Sequence, residues 1–142
     1  MKQIALMLLL TLVSCNGYEV KVDLHKVEEN RAYTMTDLFS ISCDSFYVVT
    51  PYVSGRLDSA AFDCPKQIKK VATHNAYASS EDKATIVFVQ KDKAIGYATI
   101  QWCRDSGFVP PLKGLKGYAM NTRVQINEHK CLMLSEGTND GV

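Results

Sequence analysis

Histidine and tryptophan are scarce in this chain, which has three histidines and one tryptophan among 142 residues. His25, His74 and His129 are far apart, and none stands in a metal-binding spacing such as H-E-x-x-H. The sequence also lacks a G-x-S-x-G turn and both glycine-rich phosphate-binding motifs. It therefore predicts no catalytic residue, no metal site and no cofactor, and it favours a protein that is not an enzyme.

A net charge of either sign is also missing. The chain has 16 Lys and Arg against 15 Asp and Glu, and loss of Lys2 with a signal peptide leaves 15 of each sign. Nucleic-acid-binding domains carry a basic surface that neutralises phosphates. The densest basic segment, Lys66 to Lys70, contains three lysines and is typical of a solvated face. We therefore expect no nucleic-acid partner.

Only one long apolar run occurs, from Ile4 to Val13, and it follows the basic Lys2. Its length suits the h-region of a signal peptide and is too short to span a bilayer. The segment Leu12-Val13-Ser14-Cys15 resembles the lipobox of bacterial lipoproteins, in which the cysteine is diacylated and becomes the mature N-terminus. The resemblance implies a signal peptide at residues 1–14, lipidation of Cys15 and one exported domain over residues 15–142.

Asn16 follows this cysteine. A residue other than Asp at that position resembles the lipoproteins that Gram-negative bacteria place in the outer membrane. Membrane attachment is then through the lipid anchor only. The alternative is ordinary signal-peptidase cleavage after Cys15 or Gly17, which gives a soluble secreted protein.

Four cysteines remain once Cys15 is lipidated or removed, and an even number in an exported domain predicts two disulfide bonds. Four cysteines allow three pairings, among which the sequence does not choose. We expect Cys43–Cys64 and Cys103–Cys131, because each bond then closes a short local loop. Each bond is expected to stabilise the domain by about 3 kcal/mol.

A β-hairpin is predicted at the centre of the fold. Two strand-like runs, Thr85–Gln90 and Ile95–Cys103, flank the polar segment Lys91-Asp92-Lys93. At the period of a strand, one face of the second run carries three apolar side chains. These are Ala98, Ile100 and Trp102.

Other segments predict further short strands and one helix. Asp63 as a cap and Pro65 in a first turn indicate the start of a helix that continues to about Ala72. Alternating or β-branched runs predict strands at residues 18–25, 35–43, 46–50 and 123–134, the last with a turn near Asn127-Glu128. The predicted fold is mainly β, a single small antiparallel sandwich or bent sheet with one short helix. The alternative is an α+β domain with more helix in residues 57–79.

A loop rich in glycine and proline, Asp105 to Gly117, carries several apolar side chains. Such a loop either folds over the core or presents its side chains to a partner. If Cys103 pairs with Cys131, the disulfide clamps both ends of the segment. The hypothesis of a clamped, partner-binding surface assigns it to Phe108, Leu112, Lys113, Leu115, Lys116 and Tyr118.

These observations favour an exported envelope protein that binds another envelope or extracellular protein without catalysis, as an inhibitor or immunity-type module. Small disulfide-containing lipoproteins of this class include lysozyme inhibitors and immunity or exclusion proteins, and the likeness is one of class only. A variant of this hypothesis is a sugar-binding surface around Tyr97, Trp102 or Tyr118. The alternative is a small exported hydrolase or toxin-like subunit whose site is assembled from scattered residues.

Overall fold

The computed structural model describes residues 18–54, 56–57, 59–75, 81–108 and 114–135. The signal peptide and the lipidated cysteine expected from the sequence lie outside these residues. The strands are β1 (Tyr18–Glu19), β2 (Tyr33–Thr34), β3 (Ser45–Val49), β4 (Lys83–Gln90), β5 (Lys93–Gln101), β6 (Gly117–Ala119), β7 (Arg123–Ile126) and β8 (Leu132–Leu134). The helices are α1 (Met35–Leu38), α2 (Pro51–Ser54) and α3 (Lys66–Asn75).

The strands form two sheets. The larger has five strands in the order β1-β5-β4-β3-β6, and the smaller has three in the order β2-β7-β8. Every pairing in both sheets is antiparallel except that of the two-residue β1, which runs parallel to β5. Among the described helices only α3 is longer than about one turn. The predicted mainly β class is therefore confirmed.

The β4–β5 hairpin lies at the centre of the larger sheet, as predicted, and separates two apolar clusters. The main cluster contains side chains from both sheets, including Ile86 and Phe88 of β4. The second cluster lies on the opposite face of the larger sheet, where Val87 and Val89 point. A strand buried on both faces must be apolar at successive positions, which explains the unbroken apolar run of β4. The three side chains predicted to share a face of the hairpin all belong to the main cluster: Ala98, Ile100 and Trp102.

Helix α3 covers the second cluster. Its buried side chains, Ile68, Val71 and Ala72, recur at helical spacing and pack in that cluster. The amide of Lys69 donates to the carbonyl oxygen of Pro65 at 3.0 Å, so the helix starts directly after the proline, which was predicted to lie within its first turn. Burial of side chains the size of Ile68 and Val71 stabilises the fold by roughly 1.5–3 kcal/mol each. A helix this short depends on that packing.

The strand predicted at residues 35–43 is wrong, because the segment opens with the helical turn α1. Thr34 and Asp37 form a capping box: the Thr34 hydroxyl accepts from the Asp37 amide at 3.2 Å, and the Asp37 carboxylate accepts from the Thr34 amide at 3.0 Å. This reciprocal pair satisfies amides that a strand would have to pair with a neighbour. It also explains why a charged residue interrupts the apolar alternation.

The first predicted strand, residues 18–25, is correct in its alternation but too long. Only Tyr18–Glu19 pair as β1, and the Val20 amide still donates to the Tyr97 carbonyl at 2.7 Å. A 3-10 turn then forms at Leu24–Lys26, where the Asp23 carboxylate accepts from the His25 amide. The predicted apolar face nevertheless packs partly buried against the main cluster through Val20, Val22 and Leu24.

One of the two expected disulfide bonds is present. Cys103, after β5, is bonded to Cys131, before β8, with a Cα–Cα distance of 5.8 Å. The expected bond between Cys43 and Cys64 is wrong, since both cysteines are free. Cys43 packs against the main cluster and Cys64 against the second cluster, so the five-stranded sheet lies between them.

Candidate protein-binding edge

Strand β6 forms one edge of the larger sheet. It pairs with β3 through Phe46 opposite Tyr118 and Tyr47 opposite Gly117, and no described strand pairs with its other side. The chain directly after β6 is held by the Met120 carbonyl, which accepts from the Thr36 amide at 3.2 Å. An open edge presents backbone N–H and C=O groups on which an extended segment of a partner can add as a further strand.

Tyr118 packs its ring into the side of the main cluster. The ring stacks on Phe46 with centroids 5.4 Å apart and meets Phe108 edge-on at 5.3 Å. The residue is half-buried, and this burial raises the pKa of the Tyr118 phenol. The phenol therefore stays neutral in ordinary buffers, and its ring is held rigidly by two aromatic neighbours. Rigid, half-buried tyrosines suit protein interfaces because they lose little side-chain entropy on binding.

Lys116 completes the exposed side of this edge. Its Nζ lies 5.2 Å from the centroid of the Tyr118 ring, within the range of a cation–π contact. The side chain is exposed, so this contact contributes little to stability. Lys116 and Tyr118 together present a positive charge beside an aromatic ring at the rim of the sheet.

Two glycines hold the strand close to its neighbours. A Cβ on Gly117 would lie 3.0 Å from the end of the Tyr47 ring, on the face opposite Tyr118. A Cβ on Gly114 would lie 2.6 Å from the backbone oxygen of Asp63, to which the Leu115 amide donates at 3.0 Å. These close approaches anchor the chain as it enters β6. Hydrogen bonds thus hold the chain before β6 at Leu115 and after it at Met120.

The partner-binding residues predicted from the sequence divide into three groups. Leu115, Lys116 and Tyr118 lie in or beside β6, with Leu115 partly buried against the second cluster. Phe108 is only 3 % exposed and packs in the main cluster, so it covers the core and is not presented to a partner. Leu112 and Lys113 lie outside the described residues. The candidate edge therefore keeps Leu115, Lys116 and Tyr118 of the predicted surface.

The three aromatic residues considered for a sugar-binding surface, Tyr97, Trp102 and Tyr118, do not lie together. Trp102 is buried in the main cluster. Tyr97 lies on β5 and packs beside the second cluster, whereas Tyr118 lies on β6 at the edge of the sheet, beyond β4 and β3. The three aromatic residues belong to separate environments.

The titratable groups give no convergent cluster in the described part of the chain. His129 and Glu128 form an exposed pair, with Nε2 and Oε1 3.4 Å apart, and His25 is also exposed. Within the described ranges no group of three or more His, Cys, Asp or Glu is placed to hold a metal ion. Desolvation raises the pKa of both free thiols, Cys43 and Cys64, which lowers the fraction of reactive thiolate.

Comparisons with protein-family models, with curated proteins and with solved structures find no match to this chain. No helix among the described residues has the length and apolar character needed to cross a bilayer.

Proposed function

We propose that this protein is an exported, lipid-anchored envelope protein that binds another protein through the β6 edge and catalyses no reaction. The observation that carries the proposal is edge strand β6, which no described strand pairs on its outer side, with Lys116 over the ring of Tyr118. The lipobox resemblance at Leu12 to Cys15 supports the lipid anchor. The Cys103–Cys131 bond supports export, because disulfides persist mainly in oxidising compartments.

The edge suits strand addition. Main-chain hydrogen bonds to β6 contribute affinity that does not depend on the sequence of the partner. Side chains beside the edge provide the specificity. Tyr118 offers a ring already fixed by Phe46 and Phe108, and Lys116 offers a positive charge that steers an acidic segment towards it. We therefore propose an extended, acidic segment of an envelope protein as the bound element.

The disulfide keeps this surface rigid. Cys103 and Cys131 are 28 residues apart in sequence, and the segment they enclose contains the whole of β6 and β7. A clamped segment loses less conformational entropy on binding than a free one does. Such rigidity suits an inhibitor or immunity module, in which a small rigid protein occupies a site on a larger one.

A pulldown of the acylated protein from envelope extracts, followed by mass spectrometry, tests the proposal. We expect one partner at a stoichiometric ratio with the wild type, and loss of most of it with Lys116→Glu. The matched control is Lys21→Glu, an exposed lysine that follows β1 at the opposite edge of the sheet. Equal recovery of the partner with both variants would exclude the β6 edge. Turnover of an envelope substrate by the purified protein would instead support the small-hydrolase alternative.

A further inference from the structure

The chain enters the larger sheet at a defined end. Strand β1 runs parallel to β5, with Tyr18 opposite Gly96. Since β5 begins at Lys93, three residues before Gly96, the chain approaches β1 from the end that carries the β4–β5 turn. That turn is about 10 Å from the level of Tyr18, at 3.3 Å per residue. We call this end of the domain the turn end.

The proposed lipid is covalently tethered close to Tyr18, the first residue of β1. Cys15 precedes Tyr18 by three residues. A chain of three residues spans at most about 11 Å. An acyl group attached to Cys15 is therefore tethered within about 11 Å of Tyr18, where the chain enters the sheet from the turn end.

The turn end carries exposed lysines from two elements. Lys91 and Lys93 belong to the turn itself. Helix α3 starts beside them, because the Gln67 side-chain oxygen accepts from the Ala94 amide at 3.0 Å. Its first two turns add exposed Lys66 and Lys70, which are neighbours at i and i+4. In the described part of the chain no ion pair joins any of these four lysines to a carboxylate.

The neighbouring carboxylates do not cancel this charge. Asp44 accepts a hydrogen bond from the Lys91 amide at 2.9 Å, and Asp92 is exposed in the turn itself. With the half-exposed Lys69, the turn and helix α3 together hold five lysines and one carboxylate, that of Asp92. The mature chain as a whole has 15 charges of each sign once Lys2 is removed. The positive end is therefore a local feature of a neutral protein.

The backbone of the β4–β5 turn is strained at Lys91 and Asp92. Lys91 and Asp92 both adopt left-handed backbone conformations, with φ of 48° and 63°. Two-residue hairpin turns of this kind favour Asn-Gly, because other side chains are strained there. The hydrogen bond to Asp44 offsets part of that strain and fixes the turn. The lysine at the tip is thus held in a defined position.

We propose that the turn end is the membrane-facing surface of the anchored protein, and that Lys66, Lys70, Lys91 and Lys93 contact the headgroups of anionic phospholipids. The inference rests on the proposed lipid anchor at Cys15. Because a diacylated cysteine already holds the protein at the bilayer, the lysines set the orientation of the domain on the membrane. Strand β6 lies four strand spacings from β1, about 19 Å away. In this orientation the candidate binding edge, β6, lies on the side of the domain opposite the anchored edge, β1.

Chemical footprinting of lysines tests this orientation. The acylated protein is reconstituted into two kinds of vesicle. One contains phosphatidylcholine with roughly 30 % phosphatidylglycerol, to give an anionic membrane, and the other contains phosphatidylcholine alone. A water-soluble acylating reagent is then applied, and the modification of each lysine is measured by mass spectrometry. We expect the four turn-end lysines to react about fivefold more slowly in the anionic vesicles, the ratio for one lysine held at an anionic surface. Lys21 and Lys116 serve as internal references, and high salt should abolish the protection.

A double variant, Lys91→Asn with Lys93→Gln, removes two charges while Asn tolerates the left-handed conformation. Protection of Lys66 and Lys70 should fall at least severalfold in this variant. It should persist in the matched control, Lys21→Gln with Lys116→Gln, which removes the same charge elsewhere. Melting temperatures confirm that both variants fold.

Equal reactivity of the turn-end lysines in the two kinds of vesicle overturns this inference and leaves the proposed binding edge intact. An intact mass without lipid on Cys15 overturns both the anchor and this orientation, whereas a partner recovered through β6 would still stand. Loss of the partner with Lys116→Glu bears only on the edge. The failures of the two proposals are therefore distinguishable.

Discussion

Cys43 and Cys64 face opposite sides of the five-stranded sheet, one beside the main cluster and the other beside the second. They cannot bond to each other without unfolding the sheet between them. Mass mapping of the denatured, unreduced protein should therefore find these two thiols alkylated and the Cys103–Cys131 bond intact. In the native protein their alkylation should be slow, because burial raises the pKa of each thiol. A native protein without free thiols at these positions would contradict the described packing.

The capping box at α1 predicts a specific pH dependence. The Thr34 amide and hydroxyl hydrogen bonds lower the pKa of Asp37 below its ordinary value of 3.8. Because folding lowers this pKa, the carboxylate stabilises the native state fully above pH 3.8, and the stabilisation disappears as the pH falls through the lowered value. The melting temperature of Asp37→Asn should therefore lie below that of wild type at pH 7, and the difference should shrink in strong acid. Thr34→Ala should lose about 1 kcal/mol at neutral pH, as for other N-caps.

This helix end also shows what the sequence can and cannot reveal. The pattern Thr-x-x-Asp at residues 34–37 is a visible capping signal. It competes with the apolar alternation that continues to Cys43, and the alternation led to the wrong element. By contrast the β4–β5 hairpin was correctly predicted, because a long apolar run around a polar turn has few other solutions.

The β6 edge and the Cys43–Cys64 pair illustrate the limit of local patterns. Gly117–Ala119 is three residues long and has no periodicity of its own, so only its pairing with β3 makes it a strand. The disulfide partners of four cysteines depend in the same way on which face of a sheet each occupies, and spacing in sequence does not contain that information. The sequence singled out Lys116 and Tyr118 as candidate partner-binding residues, but it did not predict the strand that positions them.

Gly114 and Gly117 provide a matched pair of substitutions. The Cβ of Gly114→Ala would lie 2.6 Å from the Asp63 backbone oxygen. A backbone atom cannot move aside by a change of side-chain rotamer. We expect a loss of about 1–3 kcal/mol, as for other overpacked sites. The Cβ of Gly117→Ala would meet only the end of the Tyr47 ring at 3.0 Å, which can shift. Urea unfolding should therefore show a smaller loss for Gly117→Ala, and the reverse order would contradict the close contact at Asp63.

Lipidation is tested most directly at the residue that carries it. Cys15→Ser removes the thiol that the lipobox resemblance assigns to the diacyl group. We expect the protein to move from the membrane fraction to a soluble fraction and its mature mass to lose the lipid. Cys64→Ser, at a free thiol of the folded domain, is the matched control and should remain with the membrane. A wild-type N-terminus that proves unmodified at Asn16 or Tyr18 would exclude the anchor.

Phe108 lies between the core and the candidate edge and contacts a side chain of each. Its ring is 3 % exposed and touches both Phe46, with centroids 6.3 Å apart, and Tyr118. Phe108→Ala should therefore lose about 3–5 kcal/mol of stability, the range for a buried phenylalanine, and should lower the melting temperature strongly. Lys116→Ala at the exposed rim should leave the melting temperature within a degree or two of wild type, since surface substitutions change stability by about 0.5 kcal/mol or less.

In binding to the partner the order should be reversed, and Lys116→Ala should have the larger direct effect. At a temperature where Phe108→Ala is still folded, we expect its affinity for the recovered partner to fall only through the loss of the Phe108 ring that packs against Tyr118. Lys116→Ala should instead slow association and make the association rate less dependent on salt. Calorimetry and binding kinetics on the same preparations measure both effects. If Phe108→Ala melted like wild type and bound weakly, its ring would belong to the interface, and the segment that precedes β6 would have to be exposed in solution.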